Sequence, residues 1–482
     1  MNLVTLSLIS HTNVGKTTLA RTLLRTDVGE VLDQAHVTEV SEAYDLVKTK
    51  EACLRLWDTP GLGDSARLVG RLQKEGNPLG WFLHQVWDRY RDRSLFCSQQ
   101  AVRNIQREAD VVLYLVNTSE EPEEAGYVPH EMELLGWIGK PVLVLLNQTG
   151  IAGSERDEAA FQQWTAAVKP WPIVRDVLPL DAFTRCWVQE GVLLERVAGI
   201  IDGEPHETMQ DLASAWERGN LSIFERACSQ VGRYVLTAAL DRETLTGQGL
   251  GQTEKRRAMR VLAQRLDDTT RRLMDSLIAD HGLVGRYQTD ARERLEQDFD
   301  SPGEKAWTSG RAGVLGAAMG GAAGGLVADV AVAGLSFGGG AVAGALLGAA
   351  GAMGLRRGFQ FVRAEQTPEV RWAAEFLDQL LRQSLLRYLA VAHFGRGRGE
   401  WRETGNPERW NALVEAAISG AGDQFSELTT RLRGAGEEPP GMEDQFSTYV
   451  RHVLTEVLST AYPQAAHILR TTQSAANSGE NS

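Results

Sequence analysis

The chain has 482 residues, too many for one ordinary core, so two to four domains are expected. Its apolar fraction of 43% and charged fraction of 23% exclude a wholly disordered chain. A net charge of −13 argues against a sequence-blind nucleic-acid binder, which needs a basic face to meet phosphates. Four cysteines, Cys53, Cys97, Cys186 and Cys228, form no C-x-x-C pair, which fits a reducing compartment and offers no metal framework.

The first ten residues, MNLVTLSLIS, lack the basic start of a signal peptide and read as a β-strand leading into a loop, which places the soluble part in the cytosol. The loop is SHTNVGKTT, from Ser10 to Thr18, and Leu19, Leu23 and Leu24 after it have helical spacing. Strand, loop and helix in this order are the context of a phosphate-binding P-loop. Backbone groups of Ser10, Asn13, Val14, Gly15, Lys16, Thr17 and Thr18 are the expected cradle for the phosphates. Lys16 is expected to reach the β- and γ-phosphates, and the Thr17 hydroxyl to bind Mg²⁺. Ser10 stands where such a loop usually starts with glycine; it is tolerable where its backbone angles permit, because the backbone does the binding.

A second apolar run, CLRLWDTPG, ends in Asp58-Thr59-Pro60-Gly61. An aspartate at a strand's end can hold Mg²⁺ through water, and the Gly61 amide can sense the γ-phosphate. Thr38 lies between the two motifs, at the reach of a threonine that closes onto the metal. The catalytic candidates are therefore Lys16, Thr38 and Gly61, and the metal set is Thr17, Thr38 and Asp58. The segment after Gly61 carries Trp81, Phe82, Trp87 and Tyr90. These aromatics read either as packing or as a nucleotide-sensitive surface for a protein partner at residues 81–90. Two more buried-type strands follow at residues 110–117 and 140–150, which predicts a mostly parallel sheet with helices on both faces. His130-Glu131 starts like a zinc-binding helix motif, but Leu134 stands where the second histidine must be.

The loop, Thr38, DTPG and LVLLNQTG stand in the order of the translation-factor-class GTPases. Within that class residues 1–200 resemble the Era/TrmE-like group, whose loop typically reads G-x-P-N-V-G-K-S; Asn13, Val14, Gly15 and Lys16 match it. The chain also resembles a bacterial family that joins such a domain to a long uncharacterised C-terminal one. The resemblance implies GTP and Mg²⁺ as ligands, and a K⁺ ion held by Asn13; a turn asparagine capping its own loop is the alternative. It departs from the pattern twice. Leu62 follows Gly61, where Ras-like switches carry a glutamine that orients the attacking water, so slow hydrolysis is expected. The base-reading pattern N-K-x-D is replaced by Asn147-Gln148-Thr149-Gly150: Asn147 and Gln148 remain as contacts, but the carboxylate that accepts from guanine is missing. Asp157 is a candidate substitute, and Ala182, in LPLDAF, is the candidate backbone contact of the last base loop.

Beyond residue 200 the chain turns helical, with apolar residues at three- and four-residue steps. TGQGLGQ follows no strand and reads as a linker. Residues 312–355 carry one charge, Asp329, and place Gly316, Gly320 and Gly324, then Gly340, Gly344 and Gly348, on helix faces. Such faces let helices approach closely, as in membrane helix pairs, and Arg311 with Arg356 and Arg357 flank the segment. It is expected to be a membrane-contacting helical hairpin; a buried soluble hairpin is the alternative, favoured by the cost of Asp329 in lipid. The stretch from PEVRWAAEFLDQLL onward is expected to be amphipathic helix. The expected division is a G domain at 1–200, a helical region at 201–305, a glycine-zipper hydrophobic hairpin at 306–360, a second helical region at 361–470 and a disordered tail at 471–482.

The expected function is a GTP-binding switch with slow, K⁺-stimulated hydrolysis, gating a helical domain that is peripheral to, or inserted in, the inner face of the cytoplasmic membrane. Two alternatives stay open: an Era-like RNA or ribosome-assembly GTPase, and a nucleotide-binding scaffold with little hydrolysis. A basic RNA-binding module would favour the first of these, and none is visible after residue 200.

Overall fold

The structure, a computed structural model, describes residues 1–25, 41–73, 80, 93–147, 155–180, 186–245, 252–283, 359–363, 368–394, 408–435 and 438–469. The chain divides into two compact units. One comprises Met1–Leu221, His393–Gly399 and Ala461–Ser482, the other Ser222–Ala392 and Glu400–Thr460.

The first unit is built on a sheet of six strands: β1 (Asn2–Ser10), β2 (Glu42–Lys48), β3 (Ala52–Asp58), β4 (Val111–Asn117), β5 (Val142–Asn147) and β6 (Val174–Pro179). Their order across the sheet is β2-β3-β1-β4-β5-β6, and only β2 runs antiparallel to its neighbour. Every residue of β5, and residues 111–116 of β4, are buried, so side chains on both faces of these strands are covered. At the edge β2 is polar and largely exposed, which suits a strand with one open side.

The helices of this unit are α1 (Lys16–Leu24), α2 (Ser65–Leu72), α3 (Arg93–Glu108), α4 (Val128–Ile138), α5 (Glu155–Val168) and α6 (Trp187–Ile200). They close a core that includes Ile9, Leu62, Ile105, Tyr114, Met132, Leu135 and Trp164. The parallel neighbours of β1 are β3 on one side and β4 on the other, so the chain's direction of winding reverses beside β1. A ligand site is expected at the C-terminal end of the strand at such a reversal.

Helix α7 (Pro205–Leu240) follows, and the division between the units falls within it. The second unit continues with β7 (Arg242–Thr244), α8 (Gln252–Asp280), β8 (Phe359–Arg363), β9 (Pro368–Trp372), α9 (Ala374–Ala392), α10 (Glu408–Gly420), α11 (Gln424–Ala435) and α12 (Met442–Ala461). It is mainly helical, as the spacing predicts. One stretch differs. PEVRW is expected to begin a helix and instead forms β9, paired antiparallel with both β7 and β8. Within it Val370 and Trp372 are buried and alternate with Glu369 and Arg371, a period of two. Pro368 lacks an N–H and stands at the strand's first position, where no ladder bond is lost. Trp372 also stacks on Phe359 of β8 (4.6 Å) and on Phe376 of α9 (4.4 Å), contacts a helix over 368–372 would not make.

The glycine-rich segment 312–355, the aromatic segment 81–90 and the tail 471–482 lie outside the described residues. Among the described residues, no helix is long and apolar enough to cross a membrane.

Candidate nucleotide site

The loop leaves β1 at Ser10 and enters α1 at Lys16. Asn13 and Gly15 both have positive φ, 65° and 99°. Gly15 has no freedom to change: besides its φ, a Cβ there would sit 2.9 Å from Asn147 Nδ2. Ser10 is not among the positive-φ residues, and as the last residue of a strand it needs no glycine. Its hydroxyl is in use, accepting from Lys16 Nζ at 3.0 Å and donating to the His11 carbonyl.

Lys16 is buried, and its ammonium also points at the His11 carbonyl, 3.5 Å away. Burial pushes its pKa down, while Asp58 and Glu131 nearby pull it back up. Beside it, Thr17 Oγ1 donates to Asp58 Oδ2 at 2.7 Å, which joins the start of α1 to the end of β3. Asp58 is buried, and burial raises its pKa against the opposing effects of Thr17 and Lys16. The other oxygen, Oδ1, is buried with no hydrogen-bond partner among the described residues. A hydroxyl and a buried carboxylate oxygen in need of a partner form a hard oxygen donor set, which fits Mg²⁺. When bound, Mg²⁺ would supply charge neutralisation at the phosphates; Thr17 and Asp58 are the described residues that would hold it.

Gly61 closes the site from the DTPG side. A Cβ there would sit 3.1 Å from Lys16 Nζ and equally close to Thr12 Cα and Cγ2, so any side chain would have to push these neighbours back by a few tenths of an ångström. Leu62 is fully buried in the core, and its N–H donates to the Ser10 carbonyl at 2.9 Å. The side chain that follows Gly61 is therefore a packing group.

Asn147 is buried at the end of β5 and donates from Nδ2 to the Val14 carbonyl at 2.8 Å. Its own carbonyl accepts from the N–H and hydroxyl of Thr118. The structure thus brings Ser10, Asn13, Val14, Gly15, Lys16, Thr17, Thr18, Asp58, Gly61 and Asn147 into one region at the C-terminal ends of β1, β3 and β5. Thr38, Gln148, Gly150 and Ala182 lie outside the described residues, as does the side chain of Asp157.

One group of residues escaped the sequence reading. Glu131 on α4 has no exposed surface; its Oε1 lies 2.8 Å from His11 Nδ1 and its Oε2 accepts from the Tyr114 hydroxyl at 2.7 Å. The His11 ring also stacks on Tyr127, with centroids 4.2 Å apart. A signal was present: Glu131 stands between Val128 and Leu135 on the face that α4 turns to the core.

Two family models match the chain. Residues 5–148 match the family described as 50S ribosome-binding GTPase. Residues 175–445 match the family described as domain of unknown function (DUF3482), a match that starts at β6. Among solved structures, a variant of Aquifex aeolicus Era bound to GDP·AlF4⁻ is 17% identical, covering 58% of this chain and 89% of that one, with a TM-score of 0.31. Era in complex with MgGDPNP and a segment of 16S ribosomal RNA is 16% identical over the same shares, with a TM-score of 0.30. Elongation factor SelB of Methanococcus maripaludis with GppNHp is 15% identical, covering 41% of this chain and 33% of that one, with a TM-score of 0.25. No curated protein matches the chain. With more than half of its length inside one family, the chain belongs to the family described as domain of unknown function (DUF3482), with a P-loop GTPase domain before the matched segment.

Proposed function

We propose that the protein is a slow GTP hydrolase whose nucleotide state is read by its helical second half at a membrane surface. The observation that carries the slow hydrolysis is Leu62. Its side chain is committed to the core beside the Lys16, Thr17, Asp58 and Gly61 cluster, so it does not orient water as a glutamine would. The charge that develops on the phosphates then has to be met otherwise, and Asn13, exposed in the loop with its φ of 65°, is the residue assigned to K⁺. Membrane contact rests on the sequence of residues 312–355, with one charge among its glycine faces and arginines at both ends. This reading puts the protein at the inner face of the cytoplasmic membrane.

The test is single-turnover hydrolysis of GTP in matched K⁺ and Na⁺ salts. Hydrolysis faster in K⁺, lost in Asn13→Ala, is the expected result; equal rates in both salts with an unaffected Asn13→Ala would refute the K⁺ assignment. Lys16→Ala, which removes the buried cation of the loop, is expected to abolish binding of a fluorescent GTP analogue.

A ribosome-assembly role is favoured by one observation, the description of the family matched by residues 5–148. The net charge of −13 opposes it. Binding to purified ribosomal subunits that depends on GTP would favour this second reading over the membrane one.

A further inference from the structure

We propose that Glu131 and His11 form a positioning pair for the phosphate-loop lysine, so that recognition of the nucleotide's β- and γ-phosphates depends on a carboxylate carried by helix α4. The proposal rests on the GTP-binding reading above and deepens it.

Burying a carboxylate completely is expensive, and an apolar side chain of similar size would fill the same space at less cost. Glu131 is nevertheless fully buried on the core face of α4, where Met132, Leu134 and Leu135 anchor the helix. Both of its oxygens have a donor: Tyr114 from β4 and His11 from the P-loop. Burial raises the Glu131 pKa, and the hydrogen bonds with His11 and Tyr114 act against that rise; in its ionised form the carboxylate only accepts, and the proton of the His11 pair is then carried by Nδ1, which fixes the ring's orientation. Tyr127, in the turn that leads into α4, stacks on the ring face at an interplanar angle of 18°. Its carbonyl accepts the Glu131 N–H at 3.0 Å, so the stacking ring and the carboxylate are tied to one another.

His11 is thus gripped at its edge and on its face while its own carbonyl serves the lysine. That carbonyl takes Lys16 Nζ at 3.5 Å and the hydroxyl of Ser10, which is itself 3.0 Å from Nζ. Fixing the second residue of the loop therefore fixes two of the oxygens that orient Nζ. Asp58 and, less strongly, Glu131 also act on Lys16 through space and offset part of the burial of the ammonium, whose pKa stays below its ordinary value. The chain needs no contact between Glu131 and the nucleotide: the carboxylate sets the histidine, the histidine sets the loop carbonyl, and the carbonyl sets the lysine.

The experiment uses the full-length protein and the variants Glu131→Gln, His11→Ala, His11→Gln and the double variant His11→Ala/Glu131→Gln. Thermal unfolding comes first, so that only folded variants are compared; His11, 29% exposed in a loop, supplies folded variants even if Glu131→Gln is lost. Titration with fluorescent GTP and GDP analogues is expected to show roughly tenfold weaker binding for His11→Ala and for Glu131→Gln, the scale of one charge-assisted hydrogen bond. The double variant is expected to be no weaker than the worse single one, because the two residues act as one unit. His11→Gln, which keeps a donor toward Glu131, should regain most of the affinity. At saturating GDP, the ³¹P resonance of the bound β-phosphate should move in the His11→Ala variant while the α-phosphate resonance stays, a signature that loss of general stability does not produce. Unchanged affinity in both His11→Ala and Glu131→Gln, additive losses in the double variant, or a β-phosphate resonance in His11→Ala identical to that of the wild type would each overturn the proposal. A wild type that binds neither analogue would overturn the GTP reading itself, and with it this inference, before any variant is compared.

Discussion

Asp58 shows what the site costs its own domain. Its folded-state pKa lies above the ordinary 3.8, because burial outweighs the pull of Thr17 and Lys16. A raised carboxylate holds its proton to higher pH in the folded state than in the unfolded chain, so stability falls as pH rises from 3.8 through the folded value. Asp58→Asn removes that burden. The nucleotide-free variant is expected to melt a few degrees higher than the wild type at pH 7, at about 2–4 °C per kcal/mol for a domain of this size. Below pH 3.8 the gain should vanish, since both states are then protonated. Scanning fluorimetry across pH reads both effects; a variant that melts lower at pH 7 would contradict the argument. Mg²⁺-dependent GTP binding should be lost in the same variant, a gain in stability set against function.

Asn147 gives a second prediction at this scale. Its amide holds the Val14 carbonyl, so it supports the loop whether or not it meets a base. A site that hydrogen-bonds its ligand's own polar groups rejects an analogue lacking them by about 10⁴–10⁵. Gly150 has no side chain to accept from guanine, so competition of GTP against ATP is expected to show a preference well below that range. A preference of many thousandfold would mean that another carboxylate, Asp157 first among them, does this work.

Helix α7 carries two glycines whose surroundings differ, and they should respond with opposite signs. Around Gly219 a new Cβ meets nothing within 4 Å. Gly219→Ala is expected to stabilise by about 0.5–1 kcal/mol, the helix propensity difference. At Gly232 a Cβ would sit 2.8 Å from the Ser447 backbone nitrogen and 2.9 Å from its Cα, on helix α12. Backbone atoms cannot move aside as a side-chain tip can, so Gly232→Ala is expected to destabilise by about 1–3 kcal/mol despite the better propensity. Urea unfolding of the two variants decides it, and equal effects would show that α7 and α12 do not approach so closely. Pattern alone did not separate these two glycines, since each interrupts the same amphipathic helix. Nor did it place β9: PEVRW leads without a break into a helical run, and only the pairing with β7 and β8 and the Trp372 stack select the strand.

For the whole molecule the membrane proposal makes the sharpest claim. Wild-type protein is expected to float with liposomes of anionic lipid, and a variant lacking residues 311–357 to stay at the bottom of the gradient. The same deletion should leave binding of the fluorescent GTP analogue intact, because the GTPase domain has its own core around Ile9, Tyr114, Met132 and Trp164. A wild type that does not float in any nucleotide state would remove the membrane from the proposed function and leave the glycines to helix packing.

The sequence by itself determined the GTPase domain. Parallel strands buried on both faces are written as unbroken apolar runs, and a loop that binds phosphate with its backbone needs its glycine and lysine at fixed spacing, so β1, β3, β4, β5, Gly15 and Lys16 were legible. The shape of the edge was not: β2 is polar on most of its length and carries no such run. Tertiary structure alone decided what Leu62, Glu131 and Ser10 do. Leu62 reads as a lost glutamine until it is seen inside the core; Glu131 reads as half of a failed zinc motif until His11 and Tyr114 are found on its two oxygens. Ser10 reads as a tolerated replacement for glycine until its hydroxyl is found beside Lys16. The roles of Leu62 and Glu131 depend on contacts between segments far apart in the chain, and that of Ser10 on how the loop folds back on itself, whereas periodicity and motif spacing describe only the order of residues along the chain.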